Sequence, residues 1–152
     1  MYNRYTMTFS EGEQVFPATL QDLYPMLDFV KRAGVHCNCT QKKLSKLELA
    51  CEELLLNIIT HAYKGLPSTG WIRILCTETP DALLVRITDH GPAFNPITAS
   101  PDIMRLDLPI EQRRIGGLGI FLAKYSVDVF DYERVNDTNV VTLTLYTKLH
   151  NS

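Results

Sequence analysis

The chain has 152 residues, 45% of them hydrophobic and 21% charged, with four cysteines and a formal net charge of −2. A chain of this length buries enough surface to fold as one domain without a disulfide or metal staple, and this composition excludes a disordered chain. The small negative charge argues against a domain built to hold nucleic acid directly, and no apolar run approaches the roughly 18 residues of a membrane helix.

In chain order, Met1-Tyr2-Asn3-Arg4-Tyr5-Thr6 has no apolar stretch after its single arginine. No signal peptide and a cytoplasmic location are therefore expected. Residues 13–17 read as a first strand. Thr19 reads as a helix N-cap, with Asp22 in the capping-box region. Leu23, Leu27 and Val30 recur at helical spacing over residues 20–33, and Gly34 is expected to stop that helix. His36, Cys37 and Cys39 gather soft ligands, but the spacing is wrong for a zinc knuckle and no second ligand pair follows, so no metal is expected there. Cys51 and Cys76 sit in apolar patterns and are expected to be buried thiols.

Thr40 caps a second helix that runs to about Tyr63. Leu44, Leu47, Cys51, Leu54 and Ile58 alternate by three and four, which marks a core stripe, and further leucines suggest a mostly buried helix. Residues 71–77 and 83–88 flank a turn at Thr79-Pro80-Asp81-Ala82 and read as an antiparallel pair. A long irregular stretch over residues 91–115 contains Pro92, Pro96, Pro101 and Pro109, a length that usually signals a functional lid. A short helix is predicted over residues 120–126. Strands over 127–134 and 139–147 follow, joined near Asn136-Asp137. The order predicts an α+β fold: one domain, a two-layer sandwich of helices on a mixed, mostly antiparallel sheet.

Three clusters carry candidate chemistry. A helix turns about 100° per residue, so Glu53, Asn57 and His61 share one stripe beside the apolar one. Asn57 offers an amide oxygen suited to a hard cation, and Glu53 can accept a proton from a hydroxyl. Asp89 ends a strand whose alternation puts it on the face of Leu83, Val85 and Ile87, where a carboxylate can accept from an exocyclic amine. Gly91 would let backbone and ligand approach closely. Gly116-Gly117-Leu118-Gly119 precedes the third helix, and exposed N–H groups at a helix start favour anions. Arg113 and Arg114, just upstream, can add phosphate contacts. Each cluster alone also fits a plain structural role: a solvated Glu beside a loop-bonded Asn, an Asp-x-Gly turn, a hinge before a helix.

Order and spacing together are more specific. Asn57, Asp89 and the glycine-rich helix start form a constellation that resembles the Bergerat-fold ATPases shared by histidine kinases, type II topoisomerases and Hsp90-type chaperones. The chain looks most like their branch of small anti-sigma-factor serine/threonine kinases. Glu53-x-x-x-Asn57-x-x-x-His61-Ala62-Tyr63 matches the N box, Asp89-x-Gly91-x-x-Phe94 the first glycine box, and Gly116-Gly117-Leu118-Gly119-Ile120 the second.

The resemblance implies ATP and Mg²⁺ as cofactors. It implies Glu53 as general base, Asn57 as the Mg²⁺ ligand, Asp89 on the adenine amine and Gly91 shaping the adenine pocket. Gly117 and Gly119 would contact phosphate through backbone amides, with Phe94, Arg114 and Leu118 completing the nucleotide site. Residues 94–115 would form the ATP lid. The implied activity is phosphorylation of an anti-anti-sigma (STAS-domain) partner, with a sigma factor as a further partner, and the resemblance allows for a homodimer. The alternative is a non-catalytic, nucleotide-dependent module that sequesters a sigma factor or another regulator. The chain departs from many relatives where a Gly-Thr pair precedes the last strand. Thr138-Asn139 stands there instead, and neither residue is assigned a role.

Overall fold

A computed structural model describes residues 11–64, 70–98 and 116–147. In chain order these form β1 (Glu11–Pro17), a 3₁₀ turn (Leu20–Asp22), α1 (Leu23–His36), α2 (Gln41–Asn57), a π-helical turn (Ile58–Ala62), β2 (Trp71–Glu78), β3 (Ala82–Asp89), α3 (Gly116–Ser126), β4 (Val129–Val135) and β5 (Thr138–Tyr146). The sheet has the order β1-β2-β3-β5-β4. The sheet expected to be mostly antiparallel is antiparallel at each of these four pairings. The fold is the expected α+β arrangement of helices on a sheet.

Local chemistry explains the boundaries. Thr19 accepts from the Asp22 N–H, so the chain enters α1 through a capped 3₁₀ turn. Gly34 does not stop α1. It lies inside the helix, buried against Leu44 of α2. The stop is Asn38, at φ 58°, with the Cys39 N–H on the Gly34 carbonyl and the Asn38 N–H on Val35. That is a Schellman closure with Asn in the left-handed position. Thr40 caps α2 through the Lys43 N–H, as expected. The β4–β5 turn falls at Asn136-Asp137, both at positive φ, the geometry of a two-residue type I′ hairpin.

Strand alternation sorts the two faces of the sheet. Ile72, Ile74 and Cys76 of β2, Leu83, Val85 and Ile87 of β3, and Val141, Leu143 and Leu145 of β5 are buried. They pack in one cluster with Met26 and Val30 of α1 and Leu47, Cys51, Leu54 and Leu55 of α2. Each such aliphatic side chain contributes about 1.5–3 kcal/mol on leaving water. All five residues of the α2 stripe are buried. The helix is less enclosed than expected, because Leu49 stays 39% exposed and Leu56 and Ile59 are half-buried. Cys51 and Cys76 are buried thiols as expected, and burial pushes Cys76 up to about 12. Among the described residues no three metal-binding side chains converge, and no helix is long and apolar enough to cross a membrane.

One cross-strand row positions the candidate site. Ile72 pairs with Asp89, Asp89 with Asn139, and Asn139 with Arg134. The inward-facing apolar rows therefore end in a polar one at the edge of the helical layer.

Candidate functional site

Asp89 is the last residue of β3 and only 5% exposed. Its Oδ1 accepts from the Gly91 N–H at 2.8 Å and from Asn139 Nδ2 at 3.0 Å. The first bond closes the Asx-type turn that Asp-x-Gly suggests. Gly91 is buried where a side chain cannot fit: an added Cβ would lie 2.7 Å from the Ala62 Cβ and 2.9 Å from the Ala62 carbonyl. The closeness required of Gly91 is thus to the end of the second helix. Arg134 Nη1 holds the Gly91 carbonyl at 2.8 Å.

Ala62 belongs to the π-helical turn that extends α2. Such turns insert an extra residue and recur at functional sites. Asn57, Ile58, His61 and Ala62 face a cavity of about 250 Å³, walled also by Leu54, Ile120 and Val141. Asp89, Asn139 and the chain from Pro92 to Phe94 close its polar side. A largely apolar cavity with a few converging polar groups is the usual form of a small-molecule site. Phe94 lines it while remaining 45% exposed, its N–H on Asn139 Oδ1 at 3.1 Å.

Tyr63 braces the segment from the helix side. Its hydroxyl accepts from the His90 N–H at 3.0 Å and donates to the Trp71 carbonyl at 2.5 Å. Burial pushes its phenol up to about 12. The His90 ring stacks on Trp71, centroids 4.8 Å apart and planes at 20°. His90 therefore turns away from the cavity that its neighbour Asp89 lines.

Glu53 does not line the cavity. It is half-buried at the α2–α3 contact, where its carboxylate occupies the space a side chain on Gly119 would need. The glycine run also differs from expectation. Gly116-Gly117-Leu118-Gly119 does not precede the third helix but forms its first turn. Those N–H groups are the ones a helix leaves without internal partners, which keeps an anion-binding role chemically available. Arg114 and the side chain of Leu118 lie outside the described residues, as does the greater part of the expected lid.

The cavity thus gathers Asn57, Asp89 and Phe94, with Gly91 buried behind it and Glu53 and Gly119 beside it at the α2–α3 contact. Asn139 was not assigned a role from sequence, yet it makes more hydrogen bonds here than any expected site residue. Thr138 alternates to the opposite face of the sheet. The usable signal was register: alternation with Val141, Leu143 and Leu145 puts Asn139 on the inward face, opposite Asp89. As for Mg²⁺, the cavity lining offers the Asn57 amide oxygen, and Asp89 and Asn139 already bond one another, so among the described residues no cluster of carboxylates is available to it. That set fits an ion brought in largely by phosphate oxygens, the habit of Mg²⁺ in nucleotide sites, and not an all-protein cage.

Comparison with known proteins bears on the family and the fold. The model of the histidine kinase-like ATPase domain matches residues 16–145. The chain is 34% identical to the serine-protein kinase RsbW of Listeria monocytogenes over 106 residues, 68% of this chain and 66% of that protein. It is 31% identical to the serine/threonine-protein kinase BtrW of Bordetella bronchiseptica over 100 residues, 64% of this chain and 67% of that protein. It thus spans a little under two thirds of the Listeria relative. Among solved structures, the RsbU and RsbW domains of a Mycobacterium tuberculosis protein superpose with a TM-score of 0.63 at 13% identity, covering 91% of this chain and 33% of that one. This last likeness concerns the fold.

Proposed function

The chain belongs to the histidine kinase-like ATPase domain family, and from that premise we propose that it binds ATP in the cavity between α2 and the β3–β5 edge and passes the γ-phosphoryl group to a serine or threonine of a STAS-domain partner, acting as an anti-sigma regulatory kinase. The observation that carries the reading is Asp89, a carboxylate 5% exposed at the polar end of an apolar cavity, both of whose donors from the described residues fall on Oδ1. Oδ2 accepts the exocyclic amine of adenine. The apolar walls from Leu54, Ile58 and Val141 cover the base.

Asn57 would hold Mg²⁺, which would supply neutralisation of phosphate charge. Gly117 and Gly119 offer backbone N–H groups to the phosphates, and Arg114 adds a charged contact. Glu53 takes the proton of the acceptor hydroxyl as its oxygen bonds to phosphorus and ADP leaves. Phosphoryl transfer needs chiefly positioning and charge stabilisation, which these groups supply. The family resemblance supports a STAS-domain protein as acceptor and a sigma factor as the regulated partner.

A second reading, a nucleotide-dependent binding module without transfer, is favoured by one observation: Glu53 packs against Gly119 instead of facing the cavity. Incubation with γ-labelled ATP and a STAS-domain protein separates the two. Label on the partner supports the kinase; ATP binding with no label on any partner leaves the binding module.

A further inference from the structure

Asn139 is 4% exposed, and its side-chain amide uses every hydrogen-bonding valence it has. Oδ1 accepts from the Tyr132 hydroxyl at 2.7 Å and from the Phe94 N–H at 3.1 Å. Nδ2 donates to Asp89 Oδ1 at 3.0 Å and to the Pro92 carbonyl at 2.9 Å. The orientation is chemically determined. The Phe94 N–H can only donate, and the Pro92 carbonyl and the Asp89 carboxylate accept. A flipped amide would set oxygen against oxygen on one side and N–H against N–H on the other. Tyr132, cross-strand neighbour of Val141 on β4, fixes the amide from behind. An aliphatic residue at this position would leave the part-buried Pro92 carbonyl and Phe94 N–H, and the buried Asp89 Oδ1, each short of a partner.

One of these bonds reaches the base-binding carboxylate, two lie on either side of Ala93 in the chain that leaves β3, and the fourth comes from Tyr132. We infer that Asn139 is a positioning residue that ties Asp89 and the Pro92–Phe94 chain into one hydrogen-bonded unit, so that base recognition and the order of that chain rise and fall together. This rests on reading the cavity as an adenine pocket. Because Asn139 and the Gly91 N–H both engage Oδ1, they determine which oxygen of Asp89 is left for a ligand donor. Asn139 lines the cavity with its amide already engaged, so on this reading it acts through Asp89.

The test is Asn139→Asp, close in shape but carrying no donor. Its carboxylate still accepts from Tyr132 and Phe94, but meets Asp89 across what was a 3.0 Å bond. Two carboxylates so placed share one proton, which raises the pKa of one of them. ATP affinity, read by calorimetry in wild type and variant, should fall about tenfold or more at about pH 8 and recover toward wild type near about pH 6, where a shared proton restores the bridge. His61 from the end of α2 and Arg134 from β4 also face this region, and wild type carries both, so the difference between the proteins isolates the new pair. In the same samples without nucleotide, the Phe94 amide should exchange faster in the variant at about pH 8.

Equal affinity for ATP at both pH values, or a Phe94 amide as protected as in wild type, overturns the inference and leaves the ATP reading standing. Wild type that binds no ATP overturns the adenine reading and the inference with it. If Asn139→Asp does not fold, Tyr132→Phe carries the test. It removes the hydrogen bond that braces the amide from β4 and so loosens the unit, and the expected result is weaker ATP binding together with faster Phe94 exchange; a change in one without the other overturns the coupling.

Discussion

Gly119 faces the carboxylate of Glu53 across the α2–α3 contact so closely that the carboxylate fills the space of a Cβ. The first turn of α3 therefore sets where the Glu53 side chain can lie. A residue proposed as a base is held by a residue proposed to touch phosphate.

Gly119→Ala should separate position from stability. The added methyl meets the far end of a flexible, half-buried side chain, so the carboxylate swings aside at modest cost. Alanine also gains about 1 kcal/mol of helix propensity over glycine, which offsets that cost. Thermal unfolding should change little. Phosphoryl transfer should fall about tenfold or more, because a displaced base loses its near-attack geometry. Transfer at the wild-type rate would mean that the Glu53 position seen here has no bearing on catalysis.

Asp89→Asn tests base recognition. The new Oδ1 still accepts from the Gly91 N–H and Asn139, so the fold should survive. Its amide nitrogen then opposes the adenine amine, donor against donor. Loss of a charge-assisted bond of about 1.5–3 kcal/mol corresponds to roughly ten- to a hundredfold in ATP affinity. Calorimetric titration reads it; unchanged affinity in a folded variant would reduce Asp89 to a turn residue.

Much of the frame was legible in local sequence because local chemistry decides it. The Leu44-to-Ile58 stripe, the Thr19 and Thr40 caps and the Asn136-Asp137 turn each depend on neighbours within a few positions. Gly34 misled because glycine is a frequent helix stop, whereas here it is buried against Leu44 and Asn38 supplies the left-handed residue. The glycine run was placed before α3 instead of inside it, since glycine's low helix propensity hid the helix start. Asn139 escaped because its partners, Asp89 and Pro92 to Phe94, are more than forty residues away in sequence, and only strand register brings them together.

Tyr63 predicts a pH dependence. Burial raises its phenol from 10.0 to about 12, so the fold favours the neutral form. The stability this provides is full below the unfolded value and is lost as pH rises through about 12. Urea unfolding of wild type and Tyr63→Phe across that alkaline range should show the gap between them closing as pH rises. At neutral pH the variant should be less stable by about 1 kcal/mol, since the part-buried His90 N–H and Trp71 carbonyl lose a partner. A gap that stays constant through the alkaline range would contradict the account of Tyr63.

The most direct test of the kinase reading is a paired measurement on Glu53→Gln: ATP affinity by calorimetry, and label transfer from γ-labelled ATP to a STAS-domain partner. Glu53 stands outside the cavity wall, so affinity should match wild type. Removing the basicity while keeping the shape should slow transfer by roughly 10²–10⁴-fold, the usual range for a lost general base. Wild-type protein that binds ATP but labels no STAS partner, or a Glu53→Gln variant that transfers at the wild-type rate, would contradict the account.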